Sequence, residues 1–293
     1  MRIGATIPIA GPAALDPGPM AAARRVEDDG FDSVWLADRL LAAIPLRSRY
    51  PFNPDGRPRW PLDTAFLEST MTMALMVAGT DRIEVGVAAL VVPLRHPVVL
   101  ARQIGTLDAL SGGRIVMGVG AGWMKEEFDT IGIPYESRGR LLDESVAIIR
   151  ECWKGQPEPR ADGAFPIPEG ILTLPLPARS PPVLVAGNTS SAMRRAAMYG
   201  DGWLPLQIVS HFDLDWVERK ARLFYETFSR QRPGSIPRLT LRAGGDFGQL
   251  VHSTPDVGGR LADAGVTDLV IDLDWAAADG GRRALETARA AGF

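Results

Sequence analysis

Eight stretches of the chain are continuous apolar runs, not alternations of apolar and polar positions. They are RIGATIPI (2–9), DSVWLA (32–37), IEVGVAALVV (83–92), RIVMGVG (114–120), PVLVAG (182–187), GWLPLQ (202–207), LTLRAG (239–244) and DLVIDLDW (268–275). Such runs suit strands buried on both faces, as in a parallel sheet covered by helices. Segments of helical period lie between them. Residues 97–110 open with Pro97, a residue suited to the first helical position. They carry Leu100, Ile104, Leu107 and Leu110 at helical spacing, and Ser111-Gly112-Gly113 ends the helix. Residues 139–153 repeat the logic with Leu142, Val146, Ile149 and Trp153. Further helices are predicted over 190–199, 256–264 and 280–291. Alternating strands and helices over 293 residues predict an α/β fold. It is expected to be a (β/α)8 TIM barrel forming one domain over residues 1–293, since such barrels run to about 250 residues plus insertions.

Two segments break the rhythm. Residues 43–62 are rich in Pro and Arg, and residues 155–181 are rich in Pro. Neither is apolar enough for a further domain, and structureless segments of this length in a compact fold are usually functional or mobile. In a barrel, 43–62 follows the second strand and lies at the C-terminal face, where Arg47, Arg49, Arg57, Arg59, Tyr50, Phe52 and Trp60 would shape a pocket entrance.

Composition narrows the function. Hydrophobic residues make up 46% of the chain and the net charge is −3, so neither a nucleic-acid surface nor a polybasic membrane patch is indicated. The single cysteine, Cys152, rules out an internal disulfide and a thiolate metal cluster and is expected to be inert core. His96, His211 and His252 are scattered, which argues against a metal-dependent hydrolase. No G-x-S-x-G elbow occurs. MRIGATIPIAG lacks a secretory apolar region, and the longest apolar stretch, 71–79, is far short of the ~20 residues that span a bilayer. A cytoplasmic protein acting on a small molecule is expected.

Candidate chemistry begins at RIVMGVGAGWMKEEF (114–128), where an apolar strand runs into Gly118, Gly120 and Gly122. The spacing is not G-x-G-x-x-G, because Trp123 or Lys125 stands where the third glycine belongs. No Walker loop occurs either. The strand end has been thinned to backbone, for a ligand or for close packing. A second site, VLVAGNTSS (183–191), ends a strand at Gly187 and starts a helix. Free N–H groups at Thr189, Ser190 and Ser191 suit an anion, although Asn188 or Thr189 could equally serve as a plain helix cap.

Three runs together, VVPLRHPVVLARQIGTLDALSGGRIVMGVGAGWMKEEFDTIG (91–132), YESRGRLLDESVAIIRECW (135–153) and PPVLVAGNTSSAMRRAAMYGDGWLPL (181–206), closely resemble the luciferase-like monooxygenase superfamily. The nearest likeness is to its coenzyme F420-dependent oxidoreductase branch. The resemblance implies a barrel with an insertion between helix 4 and strand 5, matching 155–181. It implies F420, or alternatively FMN, across the C-terminal strand ends. Gly120, Ala121, Gly122 and Trp123 would then face the cofactor, with Gly187, Asn188 and Thr189 at its phosphate. Ala88, Ala89 and Leu90 resemble the place where the family carries a bulge or a non-proline cis peptide behind the ring. It also implies a homodimer.

The chain departs from the family at the strand 2 end. After Asp38, Arg39 stands where many F420-dependent members carry histidine, and Trp123 stands where some carry glutamate, so no catalytic acid or base is assigned. Asp38 and Arg39 are both expected at the cofactor, where Arg39 could bind an anion of cofactor or substrate, or pair with Asp38. His96 is expected to be structural and hydrogen-bonding. Asp143 and Glu144, near Arg138 and Arg140, sit at a helix start where acids belong. Trp203 lines the pocket or packs. The expected activity is hydride transfer between F420 and an organic substrate. The alternatives are an FMN-dependent monooxygenase using reduced flavin and dioxygen, a flavin-binding barrel without chemistry, and an unrelated phosphate-binding barrel enzyme.

Overall fold

All nine strands pair in parallel and close on themselves. A computed structural model describes residues 1–293. Its strands are β1 (Arg2–Thr6), β2 (Ser33–Leu36), β3 (Glu84–Val91), β4 (Ile115–Gly120), β5 (Val183–Ala186), β6 (Gly202–Leu204), β7 (Leu206–Ile208), β8 (Arg238–Asp246) and β9 (Asp268–Asp272). Pairing runs β1–β2–β3–β4–β5–β6–β8–β9 and returns to β1. β6 and β7 are two halves of one barrel position. Pro205 lies between them and has no N–H for the ladder. The barrel therefore has eight staves, one for each apolar run. Around it lie α1 (Pro19–Asp28), α2 (Ser69–Gly79), α3 (Pro97–Ser111), α4 (Lys125–Ile131), α5 (Arg138–Cys152), α6 (Ser190–Met198), α7 (Leu214–Gln231), α8 (Phe247–Ser253), α9 (Val257–Asp263) and α10 (Gly280–Ala290). No helix is long and apolar enough to cross a membrane.

The barrel interior is filled around one indole. Trp35 of β2 is fully buried with Val116, Leu184, Leu204 and Val270, and its Nε1 donates to Ser33 Oγ at 2.8 Å. Gly4 on β1 and Gly86 on β3 flank it, and a Cβ on either would strike the Trp35 ring. The large core lies outside the barrel, between strands and helices. The α3 face is narrower than its period predicts: Leu100, Ile104 and Leu107 are buried, but Leu110 is 75% exposed, one residue from the helix end. On α5 the stripe of Leu142, Val146, Ile149 and Trp153 is buried throughout.

Between α5 and β5, residues 153–182 form no helix or strand, only a bridge between Arg160 and Ile167. This segment lies against the outside of the barrel. Ile167 is buried, Glu144 of α5 accepts the Ala164 N–H at 2.9 Å, and Phe165 packs edge-on against His96. His96 makes this ring contact and no side-chain hydrogen bond, contrary to the hydrogen-bonding role expected of it. Cys152 is buried, as inert core requires.

Candidate active site

A cavity of about 1020 Å³ opens at the C-terminal ends of the strands, where barrels carry their sites. It lies at the upper end of the size range of small-molecule pockets. Its floor carries almost no side chain, being made of Ala88, Ala89, Gly120, Ala121, Ala186 and Gly187. The Ala88–Ala89 peptide is cis. The β3–β4 register shifts between Val87 and Leu90, which places a bulge where one was expected. Leu90 departs from its expected place at the cofactor: its side chain is fully buried in the core and does not reach the cavity.

The alternating glycines serve three purposes. A Cβ on Gly118 would strike the Val87 carbonyl oxygen and Leu204, so this glycine is required by packing inside the barrel. Gly122 has φ +86°, and a Cβ there would lie 2.6 Å from Val91 Cγ1, so it is required by the turn. Only Gly120 has space above it, its nearest neighbours being Ala89 Cβ and Leu90 O at 3.8 Å.

One end of the cavity is built from the β5–α6 connection. Gly187 turns the chain at φ +119°. The Asn188 side chain is used twice by the fold, donating to Leu206 O at 2.7 Å and accepting from Leu206 N at 3.0 Å. Thr189 caps α6, its Oγ1 accepting the Ala192 N–H at 3.2 Å. The polar side chains of 188 and 189 thus hold the turn, while the Ser190 and Ser191 N–H groups at the start of α6 stay free. Arg195 lies alongside, bound to Asp143 at 2.6 Å. Arg138 stacks over Tyr135 at 3.8 Å with no acidic partner. Asp143 therefore orients an arginine and accepts from Tyr199 Oη at 2.8 Å, and Glu144 serves the 153–182 segment. Trp203 packs: it is 1% exposed and its Nε1 donates to the Gly187 carbonyl at 2.8 Å, fixing the turn.

The other end is built around Arg39, which forms no ion pair with Asp38. The Asp38 carboxylate instead takes two hydrogen bonds from Arg95 (2.7 and 2.8 Å), one from Val91 N and one from Ser69 Oγ. It anchors β2, β3 and α2. Arg39 is 8% exposed and sits among Trp123 (4.9 Å), Trp60 (5.1 Å) and Phe66 (5.6 Å). Its Nη1 donates to Met124 Sδ at 3.2 Å and its Nε has no partner. Burial lowers its pKa, an effect that Glu127 only partly offsets. It remains a cation. The two positions that depart from the family, 39 and 123, therefore touch each other as a cation on a ring.

Residues 43–62 cover this end. Tyr50 is 8% exposed and packs edge-on against Trp60, Trp123 and Phe52. Burial raises its pKa, against the charges of Arg242, Arg39 and Arg59. Arg242 and Asp272 also line the cavity, although no sequence motif singles them out. Arg242 donates to the Ala88 carbonyl at 3.1 Å and lies 3.7 Å from Asp272. The chain does carry a signal for both: each is a charged residue inside an apolar strand run, on the C-terminal side.

A closed parallel barrel with a large cavity at its C-terminal mouth defines a (β/α)8 small-molecule site. Residues 1–243 match the family described as luciferase-like monooxygenase, and the chain belongs to it. An uncharacterised protein of Mycobacterium tuberculosis is 30% identical over 252 residues, covering 85% of this chain and 82% of that protein. Among solved structures, an F420-dependent secondary alcohol dehydrogenase in complex with an F420–acetone adduct matches with a TM-score of 0.74 at 15% identity, covering 98% of this chain and 99% of the other. A monooxygenase from Streptomyces bottropensis matches with a TM-score of 0.68 at 20% identity, covering 99% and 96%. At these identities the likeness of the solved structures speaks to the fold.

Proposed function

We propose that this protein is an oxidoreductase that transfers a hydride between coenzyme F420 and an organic substrate. The observation that carries this reading is the floor of the cavity, apolar and made of glycines and alanines (Ala88, Ala89, Gly120, Ala121, Ala186 and Gly187), with arginines at both ends. A planar ring system fits such a floor, because Gly120 leaves open space above its backbone. A phosphate fits the free N–H groups at the start of α6, where Ser191 lines the cavity together with Arg138 and Arg195. F420 differs from FMN in carrying carboxylates beyond its phosphate, and Arg138, which lacks an acidic partner, favours the more anionic cofactor.

When bound, F420 supplies two-electron hydride chemistry. The chain's own residues position and shield it. Trp203 and Asn188 hold the Gly187 turn, Ala88 and Ala89 back the floor, and residues 43–62 lay Tyr50 and Trp60 over the cavity and exclude water. An FMN-dependent monooxygenase would use the same floor, so cofactor binding discriminates between them. Titration of the purified protein with F420 and with FMN, read by intrinsic tryptophan fluorescence, should show tighter binding of F420. Preference for FMN would transfer the assignment to a monooxygenase, and binding of neither by folded protein would remove both.

A further inference from the structure

We propose that the end of the cavity remote from the β5–α6 turn binds a carboxylate of the substrate, held by Arg39, Arg242 and the Tyr50 hydroxyl. This rests on the hydride-transfer reading for the identity of the reaction, but the binding argument stands on the cavity alone. The two ends are distinct in the barrel order. The anion-suited turn follows β5, whereas Arg39 follows β2, Arg242 lies on β8, and the two are separated from β5 by other strands on either side.

Charge is the first argument. Six arginines and three carboxylates line the cavity, so it is strongly cationic. Two of the three acids are already committed: Asp38 to Arg95, and Asp272 to Thr6 Oγ1 at 2.7 Å and Gly245 N at 2.8 Å. Arg39 is the second argument. A buried cation without a carboxylate is costly unless something else pairs with it. Arg39 makes no ion pair: Glu127, the acid that acts on it, spends its Oε1 on Leu40 N and Leu41 N, so the direct partners of Arg39 are a thioether and three rings, its Nε is unpaired, and its Nη2 donates to nothing in the protein. Tyr50 is the third. Its ring is buried and shares Trp60 and Trp123 with Arg39, yet its hydroxyl makes no hydrogen bond. Arg242, which donates to the Ala88 carbonyl at 3.1 Å and lies 3.7 Å from Asp272, adds a guanidinium whose Nε is unpaired. These donors line one cavity, and a carboxylate suits each of them: its planar pair of oxygens matches a guanidinium fork and accepts from a phenol. The aromatic walls call for a flat apolar body attached to it.

The test uses protein saturated with F420, so that the phosphate end is filled, titrated with benzoate and with its neutral isostere benzamide and followed by tryptophan fluorescence. Benzoate should bind at least about ten-fold more tightly, the worth of one charge-assisted hydrogen bond. Tyr50→Phe, which removes only an oxygen, and Arg242→Gln should each cut benzoate affinity about five- to ten-fold and leave benzamide unchanged. Arg39→Met should abolish the preference. Because that change could also loosen the aromatic cluster, Tyr50→Phe and Arg242→Gln are the deciding variants. Equal affinity for benzoate and benzamide, or a preference untouched by those two substitutions, overturns the proposal. If F420 does not bind, the titration is repeated with inorganic phosphate at the turn. Benzoate selectivity there sinks only the hydride-transfer reading, and F420 binding without selectivity sinks only the carboxylate site.

Discussion

At the scale of single residues, identical letters do different work. Gly118 and Gly120 lie on the same face of β4, two positions apart, and only depth along the strand separates them. Gly118 faces the Val87 carbonyl inside the barrel, where Gly118→Ala has no room and should cost about 2–3 kcal/mol in denaturant or thermal unfolding. Gly120 faces the cavity, so Gly120→Ala should alter stability by no more than about 0.5 kcal/mol. Gly120→Val should lower cofactor affinity at least about ten-fold, roughly the effect of one misplaced group on a shaped site. A Gly118→Ala protein as stable as the parent would refute the division. The sequence marks all three glycines but not which ones packing requires, because that depends on what the neighbouring strand places opposite. The same limit explains Asp38 and Arg39. Adjacent in the chain, they suggest a pair, but their side chains diverge and each finds partners from elsewhere, Arg95 for one and three aromatic rings for the other.

At the scale of elements, the apolar runs are legible because a strand covered on both faces needs no polar alternation. Five helices are not, and two of these, α4 and α8, have only seven residues each. α2 shows no useful period, since Ser69, Thr70 and Thr72 turn inward while Met71 and Leu75 turn out. α7 does carry one, with Val217, Ala221, Phe224 and Phe228 buried at helical spacing, but it is diluted among many charges. α1 is short and alanine-rich, and its small buried residues, Ala22 and Ala23, give little apolar contrast. The 43–62 segment is legible as an interruption but not as a fixed structure. Its order comes from a clamp to α4. Glu126 accepts from Arg47 N at 2.7 Å, Ser48 N at 3.0 Å and Ser48 Oγ at 2.6 Å, and Ser48 Oγ accepts from Lys125 N at 2.9 Å. Burial alone would raise the Glu126 pKa, but these donors prevail and bring it from 4.5 to about 2. With the folded value below the unfolded one, the clamp is fully effective above about 4.5 and is lost as pH falls from there toward about 2. Backbone amide exchange at Arg47 and Ser48, corrected for intrinsic rates, should therefore accelerate in acid before the barrel amides do. Glu126→Gln should bring the same loosening at neutral pH. Exchange at these two amides that follows the barrel under both conditions would exclude the clamp.

At the scale of the whole molecule, the two ends of the barrel divide stability from function, and the division is testable at the closed end. Four strand starts meet there: Arg2 of β1, Glu84 of β3, Arg238 of β8 and Asp268 of β9. Arg238 bridges Asp268 at 2.5 Å and Glu84 at 2.9 Å, and Arg2 reaches Glu84 at 2.8 Å. The Arg238, Glu84 and Asp268 side chains are largely buried, so the network ties staves that are distant in sequence. Burial acts to raise the Glu84 pKa, but Arg238 and Arg2 outweigh it and hold the group below its ordinary 4.5. Arg238→Met leaves two carboxylates facing each other with only Arg2 and Arg179, both about half exposed, to balance them, and should cost about 3–5 kcal/mol. Because the folded pKa of Glu84 lies below the unfolded value, the network stabilises above about 4.5 and loses effect as pH falls. The Tm gap between parent and variant should thus be widest at neutral pH and narrow in acid, as protonation relieves the carboxylates in the variant and removes the ion pair in the parent. Cofactor affinity should stay within about two-fold, since the network lies at the end of the barrel opposite the cavity. A large loss of affinity in folded Arg238→Met protein, or a Tm gap indifferent to pH, would mean that the two ends are not independent.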